Sequence, residues 1–142
     1  MRSIFIKNWK KKMSYQRIKD LPVYRKAVSL RTMSREIASF VTYNKDLLTL
    51  CNSNSLRDHI ADSLLTDAIL IPQQIAKAEN TTSLVIRQRS IHFINVMTQN
   101  LTSYCLSLEK DGVREREYLD LLRSELKAFR QAFKAWRRSL LQ

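Results

Sequence analysis

Apolar residues recur at spacings of three and four along four long stretches of this 142-residue chain. That rhythm keeps one side of an α-helix oily and predicts four amphipathic helices. The sharpest is the last, from Arg114 to Leu140, with Leu119, Leu122, Leu126, Phe129, Phe133, Trp136 and Leu140 on one seam. The first runs from Leu21 to Tyr43, with Val23, Ala27, Leu30, Ser34, Ile37 and Val41 inward. Asp20 is placed to cap it, and Pro22 in its first turn needs no intrahelical donor. The second runs from Leu56 to Ala78, with Leu56, Ile60, Leu64, Ala68, Ile71 and Ile75 inward and a Ser55–Asp58 cap. Pro72 removes a backbone bond there, so a kink is expected near Ala68–Ile71. The third runs from Ser83 to Glu109, with Ile91, Ile94, Thr98, Leu101, Cys105 and Leu108 inward and Phe93, Met97 and Tyr104 widening the stripe.

The connections are polar. Asn44 to Asn54 tucks Leu47, Leu48 and Leu50 against the body, residues 79–82 make a short turn, and Gly112 suits a left-handed helix cap. Helices of this length with mostly short links imply an all-α fold, an antiparallel up-down-up-down four-helix bundle over residues 20–142. Residues 1–19 precede it as a flexible basic arm. Met13 is an alternative start that would remove residues 1–12.

Composition agrees with the pattern. One glycine and two prolines are too few for the turns of a sheet protein this long. The net charge is +12 and unevenly placed. Residues 1–19 carry seven Lys/Arg and no acid, residues 20–113 ten and nine, residues 114–142 eight and four. Such an excess favours polyanions.

Candidate chemistry is sparse. A di-iron bundle needs inward Glu residues and Glu-x-x-His pairs, which are missing, and His59 and His92 stand alone. One glycine leaves no phosphate loop or nucleophile elbow. The expectation is a chain with no catalytic site, metal or cofactor. Cys51 and Cys105 have no metal or redox spacing and read as reduced thiols of a cytoplasmic protein, Cys105 as a core filler. No apolar run approaches the length of a membrane span.

What remains is cationic. Arg123, Lys127, Arg130, Lys134 and Arg137, with Arg138, flank the apolar seam of the last helix. Dipole matching favours basic residues late in a helix, but residues 123–142 hold six cations against Glu125 alone. Arg87 and Arg89 sit early in the third helix, where the dipole disfavours them, and Lys10, Lys11 and Lys12 lie in the arm between Trp9 and Tyr15. These are the candidate contacts to RNA or DNA phosphates.

Some motifs also resemble a family. Residues 19–27, Lys-Asp-Leu-Pro-Val-Tyr-Arg-Lys-Ala, are similar to the start of helix one in bacterial four-helix-bundle proteins of 23S ribosomal RNA intervening sequences. Residues 71–76, Ile-Pro-Gln-Gln-Ile-Ala, resemble the Ile-Pro-x-x-Ile-Ala of their second helix. The family's following Glu-Gly is replaced by Lys77-Ala78. Ala135-Trp136-Arg137 is similar to the finish of a sister branch, the accessory variability determinants of diversity-generating retroelements. The resemblance implies a homopentameric ring and, for the retroelement branch, nucleic-acid binding and partnership with a reverse transcriptase. It implies no catalytic residues. The alternative is a structural or protein-interaction oligomer of the intervening-sequence type with no nucleic-acid role.

Overall fold

The computed structural model describes residues 17–142, and among them it is helical with no strand. A helical turn at residues 17–20 leads into α1 (Pro22–Val41). There follow α2 (Leu47–Cys51), α3 (Leu56–Glu79), α4 (Leu84–Lys110) and α5 (Arg116–Leu140). Of the arm expected over residues 1–19, residues 1–16, with Lys10, Lys11 and Lys12, lie outside the described residues, and residues 17–19 join the helical turn, with Ile18 buried.

Each helix starts and stops for a local reason. Leu21, in extended backbone, is the N-cap of α1 and Pro22 its first residue. Asp20 does not cap it; its carboxylate instead accepts from the Arg25 guanidinium at 3.2 Å. Ser55 caps α3 as expected, accepting from the Asp58 amide at 3.4 Å. The reciprocal half of that cap differs. The Asp58 side chain turns inward, and the Ser55 amide is satisfied by the Ser53 hydroxyl at 3.1 Å. Ser83 caps α4 through the Ile86 amide. The connection after α1 is not wholly irregular: Asp46 accepts from the Thr49 amide at 2.7 Å and nucleates α2. Leu50 is buried there, but Leu48 is exposed to solvent.

Two helix ends share one geometry. After α4, the Val113 amide reaches back to the Leu108 carbonyl and the Gly112 amide to that of Glu109, with Gly112 at φ +93°. Buried Val113 and Leu108 complete this reversal. After α1, the Asn44 amide donates to Ser39 at 2.7 Å and the Tyr43 amide to Phe40 at 3.4 Å. Here the left-handed position is held by a tyrosine, at φ 56°, followed by Asn44 at φ 63°.

The core follows the predicted seams. All six inward residues of α1 and all seven of α5 are buried, as are Ile60, Leu64, Ala68, Ile71 and Ile75 of α3. The α4 set is buried with Met97. Two expectations fail. Leu56 is exposed because it is the first residue of α3, beyond the end of the packed body, and Phe93 is exposed because it lies past the edge of the α4 stripe. Pro72 lies within α3, buried, and the helix continues through it. Ser34 lies among the apolar residues with no hydrogen-bond partner for its hydroxyl among the described residues.

α1 packs on α3 and α5, and α4 packs on α3 and α5. Polar contacts tie the helix ends. At one end Arg57, early in α3, donates to the Asp111 carboxylate at 2.8 Å and its carbonyl at 2.9 Å, and the Phe40 and Tyr118 rings lie 4.8 Å apart. Lys45 and Ser53 both donate at 2.7 Å to buried Asp58, fastening the α1–α3 connection. The Lys45 ammonium is the main cause holding the Asp58 carboxyl below the usual range. At the other end the Trp136 indole donates to Glu79 at 2.7 Å, and Arg17 pairs with the same carboxylate at 3.3 Å.

Candidate nucleic-acid interface

The basic flank of α5 faces α4, and the two helices meet in antiparallel register every seven residues. Arg123 meets Glu109, with guanidinium nitrogens at 3.1 Å from both carboxylate oxygens, and also holds Asp120 at 3.0 Å. Seven residues on, Arg130 donates to the Thr102 hydroxyl at 3.1 Å. Seven further, Arg137 shares a cleft with Asn95 but makes no hydrogen bond to it. On an ideal helix each such step is about 10.5 Å. The seam is a ladder whose rungs pass from carboxylate to hydroxyl to open amide.

This grading decides which cations are available. Arg123 is not: two carboxylates occupy its donors, and the Glu109 hydrogen bond raises its pKa further while Arg123 lowers that of Glu109. Lys127, Lys134 and Arg138 are exposed with no partner among the described residues. Arg130 spends one donor on a neutral hydroxyl. Arg137 lies 5.9 Å from the Phe133 ring centroid, which leaves its edge donors free. Arg130, Phe133, Lys134 and Arg137 form one wall of an open cleft of about 450 Å³, and Asn95, Thr98 and Gln99 of α4 the other. Cations and amide side chains together suit phosphate oxygens.

The two arginines early in α4 part company. The sequence offers no local benefit for Arg87, yet the structure provides one. Its guanidinium donates to the Thr81 carbonyl at 3.0 Å and to the Leu140 carbonyl at 3.3 Å. It thereby satisfies an orphan carbonyl at the end of α5, and two of its donors are spent inside the molecule. Arg89 is exposed and unpartnered among the described residues. It stands six residues from Asn95, about 120° round the helix, so it does not join the cleft. Sequence reasoning missed Asn95, Gln99 and Thr102. Asn95 and Thr102 had a signal, a seven-residue repeat with Glu109 that matches the arginine repeat of α5, whereas Gln99, four residues after Asn95, lies outside it.

The two ends differ in charge balance. The end joined by Arg57–Asp111 and Phe40–Tyr118 mixes the signs, with Glu36, Asp46, Glu115 and Glu117 among Arg35, Lys45, Lys110, Arg114 and Arg116. The end joined by Trp136–Glu79 gathers Arg17, Lys77, Arg89, Lys134, Arg137 and Arg138.

Elsewhere the polar groups read as structural. His59 and His92 are exposed, and no cluster of metal-ligating side chains occurs among the described residues. Cys105 is fully buried, and burial is the main reason its thiol is pushed up to about 11. Tyr104 donates to Asp67 at 2.8 Å, and burial with that bond pushes its phenol up to about 12. No helix of the described residues is long and apolar enough to cross a membrane. Compared with protein-family models, curated proteins and solved structures, the chain finds no match in any of the three.

Proposed function

We propose that this chain is a non-enzymatic, nucleic-acid-binding accessory protein that grips phosphates through the open half of its α4–α5 seam. The supporting observation is the cleft where Arg130, Lys134 and Arg137 face Asn95 and Gln99 with no carboxylate between them. Lys127 and Arg138 extend it. Hydrogen bonds of this kind read backbone and not bases, so binding to RNA or DNA is sequence-tolerant and steeply salt-dependent. The helix-end contacts support an antiparallel up-down-up-down four-helix bundle as the frame, and Pro72 within its second long helix supports a kink near Ala68–Ile71. The quoted motifs support a reverse transcriptase as protein partner and a homopentamer as the working form, and the sparse, widely spaced cysteines support the cytoplasm as its place. In such a ring each cleft would be repeated and weak contacts would add.

The test is fluorescence anisotropy with a labelled 20-nucleotide RNA and its DNA equivalent between about 50 and 200 mM salt. A fall in affinity of tenfold or more over that range supports the reading. A flat response sinks it. Native mass spectrometry checks the ring, and a clean monomer removes the pentamer.

A further inference from the structure

A cleft of about 350 Å³ lies on α1, lined by Lys19, Tyr24, Arg25, Val28 and Arg31. Tyr24, Val28 and Arg31 follow Val23, Ala27 and Leu30 by one residue each, so they form a stripe beside the buried one. Lys26 stands about 200° round the helix from Tyr24 and from Val28. It pairs with Glu125 of α5 at 3.9 Å. The cleft therefore faces away from α5 and from the basic seam.

Five arginines of the described residues are half-buried: Arg31, Arg57, Arg87, Arg123 and Arg137. Arg57 and Arg123 hold carboxylates, and Arg87 holds two main-chain carbonyls. The other two have no oxygen partner among the described residues, and each lines a cleft. Arg137 belongs to the seam and lies near the Phe133 ring. Arg31 has no such ring among the described residues. A guanidinium drawn out of water without an acceptor is unfavourable, and an anion in the cleft would relieve it.

The acids nearby are engaged or turned away. Asp20 accepts from Arg25 at 3.2 Å, and Glu79 accepts from Trp136 and Arg17. Glu36 stands about 140° round α1 from Arg31. Lys19, Arg25 and Arg31, less Asp20, leave a charge of +2 at the cleft. A phosphate monoester carries about −1.5 to −2 near pH 7 and matches it. Beside the cations, Tyr24 and Val28 supply an apolar wall, with Tyr24 held against the core behind it. An aromatic wall next to cations suits a flat base joined to its phosphate. The volume falls in the range of small-ligand sites, about 300 to 1,000 Å³.

We propose that this cleft binds a nucleoside 5′-monophosphate, with its phosphate on Arg31 and Lys19 and its base against Tyr24 and Val28. A free nucleotide and the phosphorylated 5′ end of a strand present the same chemistry. The site is independent of the phosphate-binding seam.

The probe is a fluorescent N-methylanthraniloyl derivative of AMP, titrated by anisotropy at about 100 mM salt. The native chain binds it. Unlabelled AMP displaces it at least about tenfold better than adenosine or inorganic phosphate, because neither of those carries both halves. Arg31→Gln weakens binding about tenfold or more, as loss of a charged hydrogen bond would. Its thermal midpoint without ligand matches that of the native chain, since Arg31 has no partner to lose, so the loss is not unfolding. Tyr24→Phe binds like the native chain, and Tyr24→Leu weakens binding about fivefold or more. Replacing Arg130, Lys134 and Arg137 by glutamine leaves AMP binding unchanged. A 5′-phosphorylated trinucleotide that displaces the probe as well as AMP does identifies the strand end as the source, and one that fails to displace it identifies the free nucleotide. Absence of AMP binding by the native chain overturns the proposal. So does undiminished binding in Arg31→Gln, or displacement by adenosine or phosphate alone as strong as by AMP. Loss of AMP binding in the Arg130, Lys134 and Arg137 variant also overturns it, by placing the nucleotide in the seam. A flat salt response of the 20-nucleotide RNA, with AMP binding intact, would strike the seam reading and leave this one standing.

Discussion

The two halves of the α4–α5 seam carry the same arginine repeat and put it to opposite uses. In the first half Arg123 is clasped by Glu109 and Asp120, and its charge is spent inside the molecule. In the second half Arg137 finds Asn95 across the seam, and its charge is presented outward. A cationic stripe on one helix therefore says little until the facing helix is known. The facing residue decides whether a cation is a fastener or a ligand group.

The largest effect expected from that contrast is on binding. Replacing Arg130, Lys134 and Arg137 together by glutamine should lower affinity for a 20-nucleotide RNA by about 30-fold or more near 100 mM salt. It should also reduce the slope of log affinity against log salt by about 2 to 3, as three lost phosphate contacts require. Arg123→Gln should leave that slope where it was. A loss in Arg123→Gln equal to that of Arg137→Gln would erase the distinction between the halves.

The frame of the open half comes next. Trp136 is 7 % exposed and donates to a carboxylate, a bond of the stronger kind. Trp136→Phe deletes the donor together with the five-membered ring that carries it, so urea unfolding should show a loss of about 2 to 3 kcal/mol from the lost bond and the space left behind. Unaltered stability would mean that Glu79 is already satisfied by Arg17 and that the pin is not needed.

The two helix reversals make a smaller and signed test. Gly112 sits at φ +93° with nothing within 4 Å of where a Cβ would point, so Gly112→Ala suffers from backbone strain alone. It should cost about 1 kcal/mol, and Tyr43→Gly should gain about as much. Thermal or urea unfolding of the pair reads both, and shifts of the same sign would refute the comparison.

The mildest effect concerns acid. Asp58 is held below its ordinary pKa by the Lys45 hydrogen bond. A depressed carboxyl contributes stability above its unfolded value, near 3.9, and loses it as pH falls through the folded one. Unfolding midpoints should drop below about pH 4, and Asp58→Asn should flatten that part of the profile. An identical profile in the variant would place the acid sensitivity elsewhere.

The buried seams were legible because they are local: a helix repeats its own period, and α1 and α5 bury every residue their period nominates. Gly112 and Ser55 were legible for the same reason, as each acts within four residues of itself. The site was legible only in half. The stripe could be read from α5, but its division could not, because the deciding partner of Arg123 lies 14 residues away on another helix. Arg87 was further out of reach, since it binds a main-chain carbonyl 53 residues along. Tyr43 was hidden because a left-handed backbone under a tyrosine has no sequence mark.

Cys105 turns the paired half of the seam into a reporter of its own opening. Its thiol is fully buried, and burial holds its pKa near 11 against the partial opposing pull of Arg123. A thiol so placed can react only while α4 is transiently lifted from its neighbours. In a chain carrying Cys51→Ser, the labelling rate at mild alkaline pH therefore rises with the share of time α4 stands open, and loosening the Arg123 clasp would quicken it.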